Sequence, residues 1–403
     1  MSAAGNARTP RVQAVLREGE ATVKPLELFF DLVFVLALTQ CTALMADDPT
    51  WEALAKGLLL LGVLWWAWGA YAWLTSVIDP EEGVVRLVMF AVMAAFLVCA
   101  LCVPGAFDDA ALTFVIAYAF VRVGHIALFE IASRDEPELR KSVNGLAAST
   151  AVGVGLLAIA SALDGTAQGA LWVTALALDW AGPYFFGAEG WKIVPSHFAE
   201  RYGLIVIIAL GESIVAIGAG VEGAITTSVV AAAVLGMVVA AALWWLYFDV
   251  VAIVAERHLT NAAVGREQNE IARDSYSYLH FPMVAGIVLF ALGMKKTLGD
   301  TGDPLKLVPA VAMVDGLSMY LLGHVGFRLR NVGSLNRPRL VSSVLVLALI
   351  PLATEIPALA TLSILSAGAA ALVLYESMRY AERRNQIRHE LEHSTSVSSA
   401  RTG

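Results

Sequence analysis

The chain has 403 residues, of which 58% are hydrophobic and only 15% charged, and its mean hydropathy is +0.70 with a formal net charge of −8. Soluble domains contain about 45–50% apolar and about 25% charged residues. The composition therefore excludes an ordinary soluble protein and indicates a chain that is embedded in a membrane.

Long apolar segments follow one another along the whole chain. About 20 mostly apolar residues cross the hydrocarbon layer as a helix, so the pattern predicts an all-α, polytopic transmembrane helix bundle of about twelve spans. The predicted spans are 26–46, 52–77, 84–103, 111–133, 144–163, 166–186, 203–221, 226–253, 275–295, 307–328, 340–354 and 358–377. Glu355 and Pro357 separate the last two, and a single broken segment is the alternative.

The spans divide the chain into two halves and two tails. We expect a cytoplasmic N-terminal tail at 1–25, without a cleavable signal peptide because it has no apolar core of its own. A first six-span repeat at 26–186, a cytoplasmic connector at 187–202 and a second six-span repeat at 203–377 follow. The charged C-terminal tail, 378–403, is predicted to prolong the last helix to about His393 and then to be disordered.

The distribution of basic residues predicts the orientation. With the N-terminus placed in the cytoplasm, 22 of the 27 Lys and Arg residues fall on cytoplasmic segments, and Arg122 alone falls within a span. Cytoplasmic loops of membrane proteins carry an excess of Lys and Arg. We therefore expect a multi-pass protein of the cytoplasmic (inner) membrane with both termini inside.

Four short matches between the halves indicate an internal duplication. The segments 37–40, 64–66 and 124–125 resemble 209–212, 243–245 and 323–324, and the pair Phe90 and Ala94 resembles Phe281 and Ala285. The matches occur in the same order, and the offset grows as loop insertions would make it grow. Because six spans is an even number, the two repeats should have the same orientation, and transporters commonly place their path at a repeat interface.

Ionisable and polar side chains recur inside the predicted spans, where each ionisable group costs about 2.5–3.5 kcal/mol. Such groups face a partner or a water-filled cavity, so they are candidates for a transport path or a buried polar network. In the first predicted span Gln40 lies on the opposite side from Asp31, so we expect this helix to be buried all round. The candidate residues are Glu27, Asp31, Gln40, Arg122, His125, Asp179, His197, Glu200, Arg201, Glu212, Ser213, Asp315 and His324, and the three at 197, 200 and 201 lie at the end of the predicted connector.

Two common signatures of enzyme and cofactor sites are missing from the sequence. There is no Walker A motif and no G-x-S-x-G. Cys99 and Cys102 form a C-x-x-C, but they lie in an apolar segment and are interpreted as core residues rather than a zinc or redox site. We expect no catalytic residues, metal or cofactor. The tryptophans at 65, 66, 68, 244 and 245 are interpreted as packing or interface aromatics.

Two stretches resemble the bacterial low temperature requirement A family. The first begins with Glu-Leu-Phe-Phe-Asp at 27–31 and runs to Gln40; the second begins with His197 and runs through Arg201 to Glu212 and Ser213. The family name implies a link to growth in the cold, without implying an activity. The segment 29–34 is similar, more distantly, to the motif that opens the two-repeat endolysosomal potassium channels, although Phe30 replaces a serine.

Three functions are compatible with the sequence. The first is a transporter or channel for an ion or small solute, with the intramembrane charges lining its path. The second is an intramembrane enzyme that acts on a lipid-like substrate, and the third is a membrane sensor or scaffold whose charged tail recruits a partner. The expected partners are membrane lipid, a small ion or solute and a second copy of the chain, but no nucleic acid.

Overall fold

The described part of the chain is helical throughout. The computed structural model describes residues 22–81, 83–186, 189–221 and 223–379, and these residues form no β-strand. In a lipid environment a helix satisfies all its own backbone hydrogen bonds, which is why apolar segments of this length fold as helices. Most of the two predicted tails lies outside the described residues.

The first half contains six helices. They are α1 (Pro25–Asp47), α2 (Trp51–Val77), α3 (Gly83–Cys102), α4 (Ala111–Ala132), α5 (Pro137–Ala160) and α6 (Gly165–Phe185). Thr50 caps α2, since its hydroxyl accepts a hydrogen bond from the amide of Ala53. A 3₁₀ turn, Val103–Gly105, continues α3.

The second half contains longer helices and several short ones. They are α7 (Pro195–Gly220), α8 (Thr227–Phe248), α9 (Val251–Asn261), α10 (Arg266–Ile271), α11 (His280–Gly299), α12 (Leu307–Val332), α13 (Arg337–Leu347), α14 (Ile350–Ala353) and α15 (Ala358–Arg379). A π-helical segment, Ala272–Tyr278, connects α10 to α11.

Ten helical segments of the described chain are long and apolar enough to cross a membrane. The chain is therefore a polytopic membrane protein with an all-α fold, as its sequence predicts. Each predicted span overlaps a helix, although α6 and the pair α13–α14 are not among the ten.

Two predicted boundaries are wrong by about two helical turns. Helix α7 begins at Pro195 rather than at 203, so the predicted connector 187–202 is mostly helix, and α5 begins at Pro137 rather than at 144. In both cases the first turns carry polar side chains, which hydropathy interprets as loop. For α7 these side chains include His197, Glu200 and Arg201, all of which lie on the helix.

The last two predicted spans are separate helices. Helix α13 ends at Leu347, α14 begins at Ile350, and α15 starts only at Ala358. Pro351 lacks an amide hydrogen, and its ring would collide with the carbonyl four residues earlier, at Leu347, if the helix were continuous. Pro357 precedes α15, where a missing amide hydrogen costs nothing.

Four helices form the centre of the bundle. Each of α1, α2, α7 and α11 contacts the other three, so the two halves of the chain meet there. Helix α1 is not buried all round, contrary to the prediction from Gln40. Its side chains Leu28, Phe29 and Leu32 are exposed on the outer surface of the protein, as expected for a helix that also faces lipid.

Helices α11 and α12 cross at unusually short range because two glycines face each other. A Cβ atom on Gly286 would lie 2.5 Å from the carbonyl oxygen of Gly316, and one on Gly316 would lie 2.6 Å from that of Gly286. Small residues at such crossings are typical of helix packing in membranes. The crossing fixes α11 within the central group of helices.

Candidate functional site

A line of polar side chains runs along the contact between α1 and α7, and we call it the polar seam. It consists of Glu27, Asp31 and Thr39 on α1 and of His197, Arg201 and Glu212 on α7. The partners occur in the same order on both helices, so α1 and α7 run parallel to each other. From Glu27 to Thr39 the seam extends about 18 Å along the helix axis, at 1.5 Å per residue.

The first pair of the seam joins Glu27 to His197, and both side chains are fully buried. His197 Nε2 lies 2.9 Å from the Oε1 atom of Glu27, and its Nδ1 lies 2.9 Å from the hydroxyl of Ser76 on α2. A neutral imidazole with its proton on Nε2 satisfies both contacts, because it donates to the carboxylate and accepts from the hydroxyl. Ser76 thereby orients the ring.

One helical turn further along, Asp31 binds Arg201. The Nη1 atom of Arg201 lies 2.6 Å from the Oδ2 atom of Asp31 and also donates to the carbonyl oxygen of Glu27 at 3.0 Å. The indole of Trp68 on α2 donates to the other carboxylate oxygen at 2.8 Å. The guanidinium also lies 5.6 Å from the Trp68 ring centroid, so both ends of this buried ion pair have further partners.

The third pair of the seam lacks a positive charge. The hydroxyl of Thr39 donates to the Oε2 atom of Glu212 at 2.5 Å, and Glu212 is buried. Among the described residues no Lys, Arg or His forms an ion pair with this carboxylate. The neighbouring Ser213 is also buried, and its hydroxyl makes no hydrogen bond within the described chain. Glu212 is therefore a buried acid without a counter-ion.

A second charged pair lies apart from the seam, between α4 and α6. The Nη2 atom of Arg122 lies 3.0 Å from the Oδ1 atom of Asp179 and 2.6 Å from the hydroxyl of Thr150 on α5. The ring of His125, one turn further along α4, packs between Tyr71 and Phe129. All these groups are buried, so the first half has its own polar centre within a bundle of apolar helices.

A model of the family described as bacterial low temperature requirement A protein (LtrA) matches residues 22–374, which is most of the chain. The chain belongs to the LtrA family. A protein of Rhizobium meliloti (strain 1021), named Uncharacterized protein RA0937, is 30% identical to this LtrA chain over 312 residues, which cover 74% of this chain and 75% of that protein. No solved structure matches the chain.

The second half of the LtrA chain contains a polar centre of different composition. Here Nη1 of Arg339 donates to the Nδ1 atom of His324 at 2.8 Å, and the same guanidinium forms an ion pair with Glu376 of α15 at 2.7 Å. His324 packs against Tyr247 and Tyr320. His125 and His324, which the sequence pairs as equivalent positions, are thus both buried among aromatic rings.

The structure leaves some of the predicted candidates outside these clusters. Gln40 is half-buried on α1, Glu200 is exposed and accepts a hydrogen bond from the amide of Val23, and Asp315 is half-buried on α12. Within the described residues Asp315 makes no ion pair or side-chain hydrogen bond. These three side chains therefore do not share one site with the polar seam.

Sequence reasoning missed several polar partners of the LtrA network. Ser277, in the π-helical segment, receives hydrogen bonds from the indoles of Trp65 and Trp73 and lies 3.0 Å from the hydroxyl of Tyr202. His280 is buried and contacts the hydroxyl of Tyr247 at 2.8 Å. The sequence contained one indication of these partners. Trp65, Trp68 and Trp73 each carry an indole N–H, and a buried indole usually donates to a nearby acceptor.

The two tryptophan clusters of the LtrA chain lie in different environments. Trp65 and Trp68 are fully buried and stack with a centroid separation of 5.1 Å, whereas Trp244 and Trp245 are 45% and 38% exposed. The first cluster supports the seam through the hydrogen bond from Trp68 to Asp31, and the second faces outward.

The side chains of the seam could bind and release a proton or a small cation. The described residues contain no group of three or more His, Cys, Asp or Glu side chains that could hold a metal ion. Glu27, Asp31 and Arg201 are held by mutual pairing. Glu212 retains the capacity to take up a proton or a small cation, because within the described residues it contacts a threonine hydroxyl and forms no ion pair.

Proposed function

We propose that this protein is a membrane transporter or channel for a small cation, and that Glu212 is the carboxylate that binds the cation or a proton. The observation that carries this proposal is the burial of Glu212 in the seam without a counter-ion among the described residues. An ionised carboxylate removed from water without a partner is strongly unfavourable. A bound proton or cation supplies the missing charge, and intramembrane carboxylates commonly mark ion pathways.

The position of the seam supports a role in movement. It lies where the two halves of the chain meet, and such interfaces are the usual place of a transport path. Two pairs of side chains hold α1 against α7 at the end of the seam that is remote from Glu212. They are Glu27 with His197 and Asp31 with Arg201. In our proposal these pairs form a closed gate, and separation of α1 from α7 would break them and admit water.

The helix contacts support two repeats of six spans. Helix α1 packs against α2 and α3 as α7 packs against α8 and α11, and α3 packs against α4 as α11 packs against α12. Helices α2 and α6 also contact each other, as do α8 and α15. The parallel course of α1 and α7 agrees with repeats of the same orientation. On this basis α6 and α13–α14 complete twelve spans.

We also propose the cytoplasmic membrane as the location, with both termini inside. The reason is the excess of Lys and Arg on one set of loops and tails, which orients membrane proteins during insertion. In this orientation Glu27 and His197 lie near the cytoplasmic ends of α1 and α7, and Glu212 lies deeper in the membrane.

Flux measurements on proteoliposomes test the proposal. Purified protein is reconstituted at equal density, and the influx of K⁺, of Na⁺ and of protons is measured separately for wild type and Glu212→Gln. We expect flux of at least one cation in the wild type, and a decrease of about tenfold or more in the variant, because an amide cannot replace a charge-assisted contact.

The matched control is Asp315→Asn, which removes an acid from a spanning helix outside the seam. We expect this variant to retain the wild-type flux. The proposal is wrong if none of the three cations crosses the membrane with wild-type protein, or if Glu212→Gln conducts as well as the wild type.

A further inference from the structure

A cavity lies apart from the seam, between helices of the first half and the π-helical segment of the second half. It is bounded by α2, α4, α5 and α6, by the segment that follows α6 and by the π-helical segment, and its cavity volume is about 80 Å³. A space of this kind admits several water molecules. We call it the Arg122 cavity, because Arg122 and His125 line it from α4.

The charged lining of the Arg122 cavity is entirely basic. Arg122 and Arg273 contribute to its surface, and no Asp or Glu is among its lining residues. Asp179 binds the Nη2 atom of Arg122. The Nε and Nη1 atoms of Arg122 make no hydrogen bond with the described chain, although the side chain is only 1% exposed. Two strong donors are thus buried without an acceptor.

His125 adds further unused polar atoms at the same wall. Neither of its ring nitrogens makes a hydrogen bond with the described residues, and its side chain is buried. A polar atom that is buried without a hydrogen-bond partner destabilises the fold. A bound ligand or water molecule can supply the missing hydrogen bonds. The donors of Arg122 and the ring of His125 line the same cavity, so one ligand can reach both.

The remaining walls of the cavity are aromatic. Trp65, Trp66 and Trp73 line it from α2, and Phe186 and Trp191 line it from the segment at the end of α6. These rings are held in place, since Trp73 donates to Ser277 and packs edge-on against Trp191 at 5.6 Å. Flat apolar walls accept an alkyl or aromatic body rather than a hydrated ion.

The corresponding cavity of the second half differs in its charge. It is lined by His324, Arg328 and Arg339, but also by Asp249 and Glu376. There Arg339 is occupied by His324 and by both carboxylate oxygens of Glu376. In the Arg122 cavity each arginine also has a carboxylate partner, Asp179 for Arg122 and Asp274 for Arg273, but neither carboxylate lines the space. A wall without an acidic side chain is therefore a property of the Arg122 cavity and not of the second one.

We propose that the Arg122 cavity binds an amphiphile with a single acidic head, a carboxylate or a phosphate. The head accepts hydrogen bonds from Arg122 and His125, and the apolar body lies between the tryptophans of α2 and Trp191. Guanidinium groups favour carboxylate and phosphate partners over other acceptors. The site is distinct from Glu212, and its occupancy does not depend on whether the protein moves cations.

Calorimetric titration tests this assignment directly. The full chain is placed in phosphatidylcholine nanodiscs and titrated with octanoate, octyl phosphate, inorganic phosphate and octyltrimethylammonium, and the heats from empty discs are subtracted. We expect saturable binding of octanoate and octyl phosphate. Inorganic phosphate lacks the tail and octyltrimethylammonium has the opposite charge, so both should bind about tenfold or more weakly.

Three variants locate the site. Ala70→Leu fills the space from α2, where Ala70 lines the cavity. The double variant Arg122→Gln/Asp179→Asn removes the head contacts without leaving a buried charge. Arg273→Gln removes the second basic group. Each should weaken octyl phosphate binding, and the first two by about tenfold or more. The matched control is Arg328→Gln, which removes a half-buried arginine from the other cavity and should change nothing.

Thermal unfolding of each variant identifies any that do not fold. Should the double variant be one of them, Ala70→Leu and Arg273→Gln carry the test. The assignment is overturned if these variants bind octyl phosphate as the wild type does, or if octyltrimethylammonium binds equally well. If inorganic phosphate binds as tightly as octyl phosphate, the alkyl tail makes no favourable contact with the aromatic walls, and the assignment to an amphiphile is wrong.

Discussion

The polar seam and the Arg122 cavity both bury charge between apolar helices, but they do so in opposite ways. In the seam Asp31 has Arg201 and Trp68, and Glu27 has His197, so each carboxylate has a hydrogen-bond donor within the chain. In the cavity Arg122 donates to Asp179 and Thr150 through Nη2, while its Nε and Nη1 atoms make no hydrogen bond within the described chain. Mutual pairing stabilises a contact between helices, whereas unused donor atoms that border a cavity can bind a group from outside the chain.

Glu212 is the part of the seam that resembles the cavity. Like Arg122 it is buried, but it lacks a counter-ion in the described chain. The buried ionisable groups therefore differ in whether another side chain of the protein pairs with them, and not in where they lie along the chain. Groups with complete partners should respond to mutation by loss of stability, and groups without them by loss of ligand or cation binding.

The largest effect should come from breaking the pair at the centre of the seam. Arg201→Met leaves Asp31 and Glu27 buried without their guanidinium partner, which should destabilise the fold by about 3–5 kcal/mol. Thermal unfolding in detergent and the yield of monodisperse protein measure this. An unfolding midpoint equal to that of the wild type would show that the Asp31–Arg201 contact does not hold α1 to α7.

The ion pair between Arg122 on α4 and Asp179 on α6 allows the stability of a single variant to be compared with that of a double variant. Arg122→Gln alone leaves Asp179 buried and charged, and it should cost about 3–5 kcal/mol. Arg122→Gln/Asp179→Asn removes both charges, so most of that loss should be recovered. A double-mutant cycle by denaturant unfolding measures the coupling. Additive losses would mean that the two side chains do not interact.

A smaller effect is expected at the crossing of α11 and α12, where no charge is involved. Gly286→Ala places a methyl group 2.5 Å from the carbonyl oxygen of Gly316, so the helices must move apart. Overpacking of this kind costs about 1–3 kcal/mol. The control is Gly368→Ala on α15, where a Cβ meets nothing within 4 Å and stability should not fall. Equal unfolding midpoints for the two variants would contradict the close crossing.

Hydropathy and charge predicted the membrane fold well, because the cost of burying a polar backbone in lipid leaves helices as the only solution for such segments. The method failed where a helix begins with polar residues. His197 and Arg201 look like a loop in a hydropathy profile, yet they lie on α7 because α1 and α2 supply their partners.

The candidate residues could be listed from the sequence, but their grouping could not. Asp31 and Arg201 are 170 residues apart, and nothing local indicates that they touch. Asp315 has the same chemistry as Asp31 but lies on a face of α12 that meets no partner in the described chain. Which helix faces adjoin is decided by packing of apolar side chains and glycines, such as the crossing at Gly286, and not by the charges themselves.

The cavity was beyond sequence reasoning for a related reason. Arg122 and His125 share one helix face and could be expected to act together, but the aromatic walls come from α2 and from the segment at the end of α6, which lie far from α4 in the sequence. The tryptophans at 65, 66 and 68 were interpreted as packing or interface aromatics, which is incomplete for Trp65 and Trp66, since these two also line the cavity.

Infrared difference spectroscopy of the reconstituted protein tests the claim about Glu212 most directly. Spectra recorded before and after exchange of the bathing cation, or a step in proton concentration, report the change in carboxyl vibrations. We predict a difference band that is present in wild type and in Asp315→Asn and is lost in Glu212→Gln. An identical band in wild type and Glu212→Gln, or no cation- or proton-dependent band in the wild type, would contradict the account.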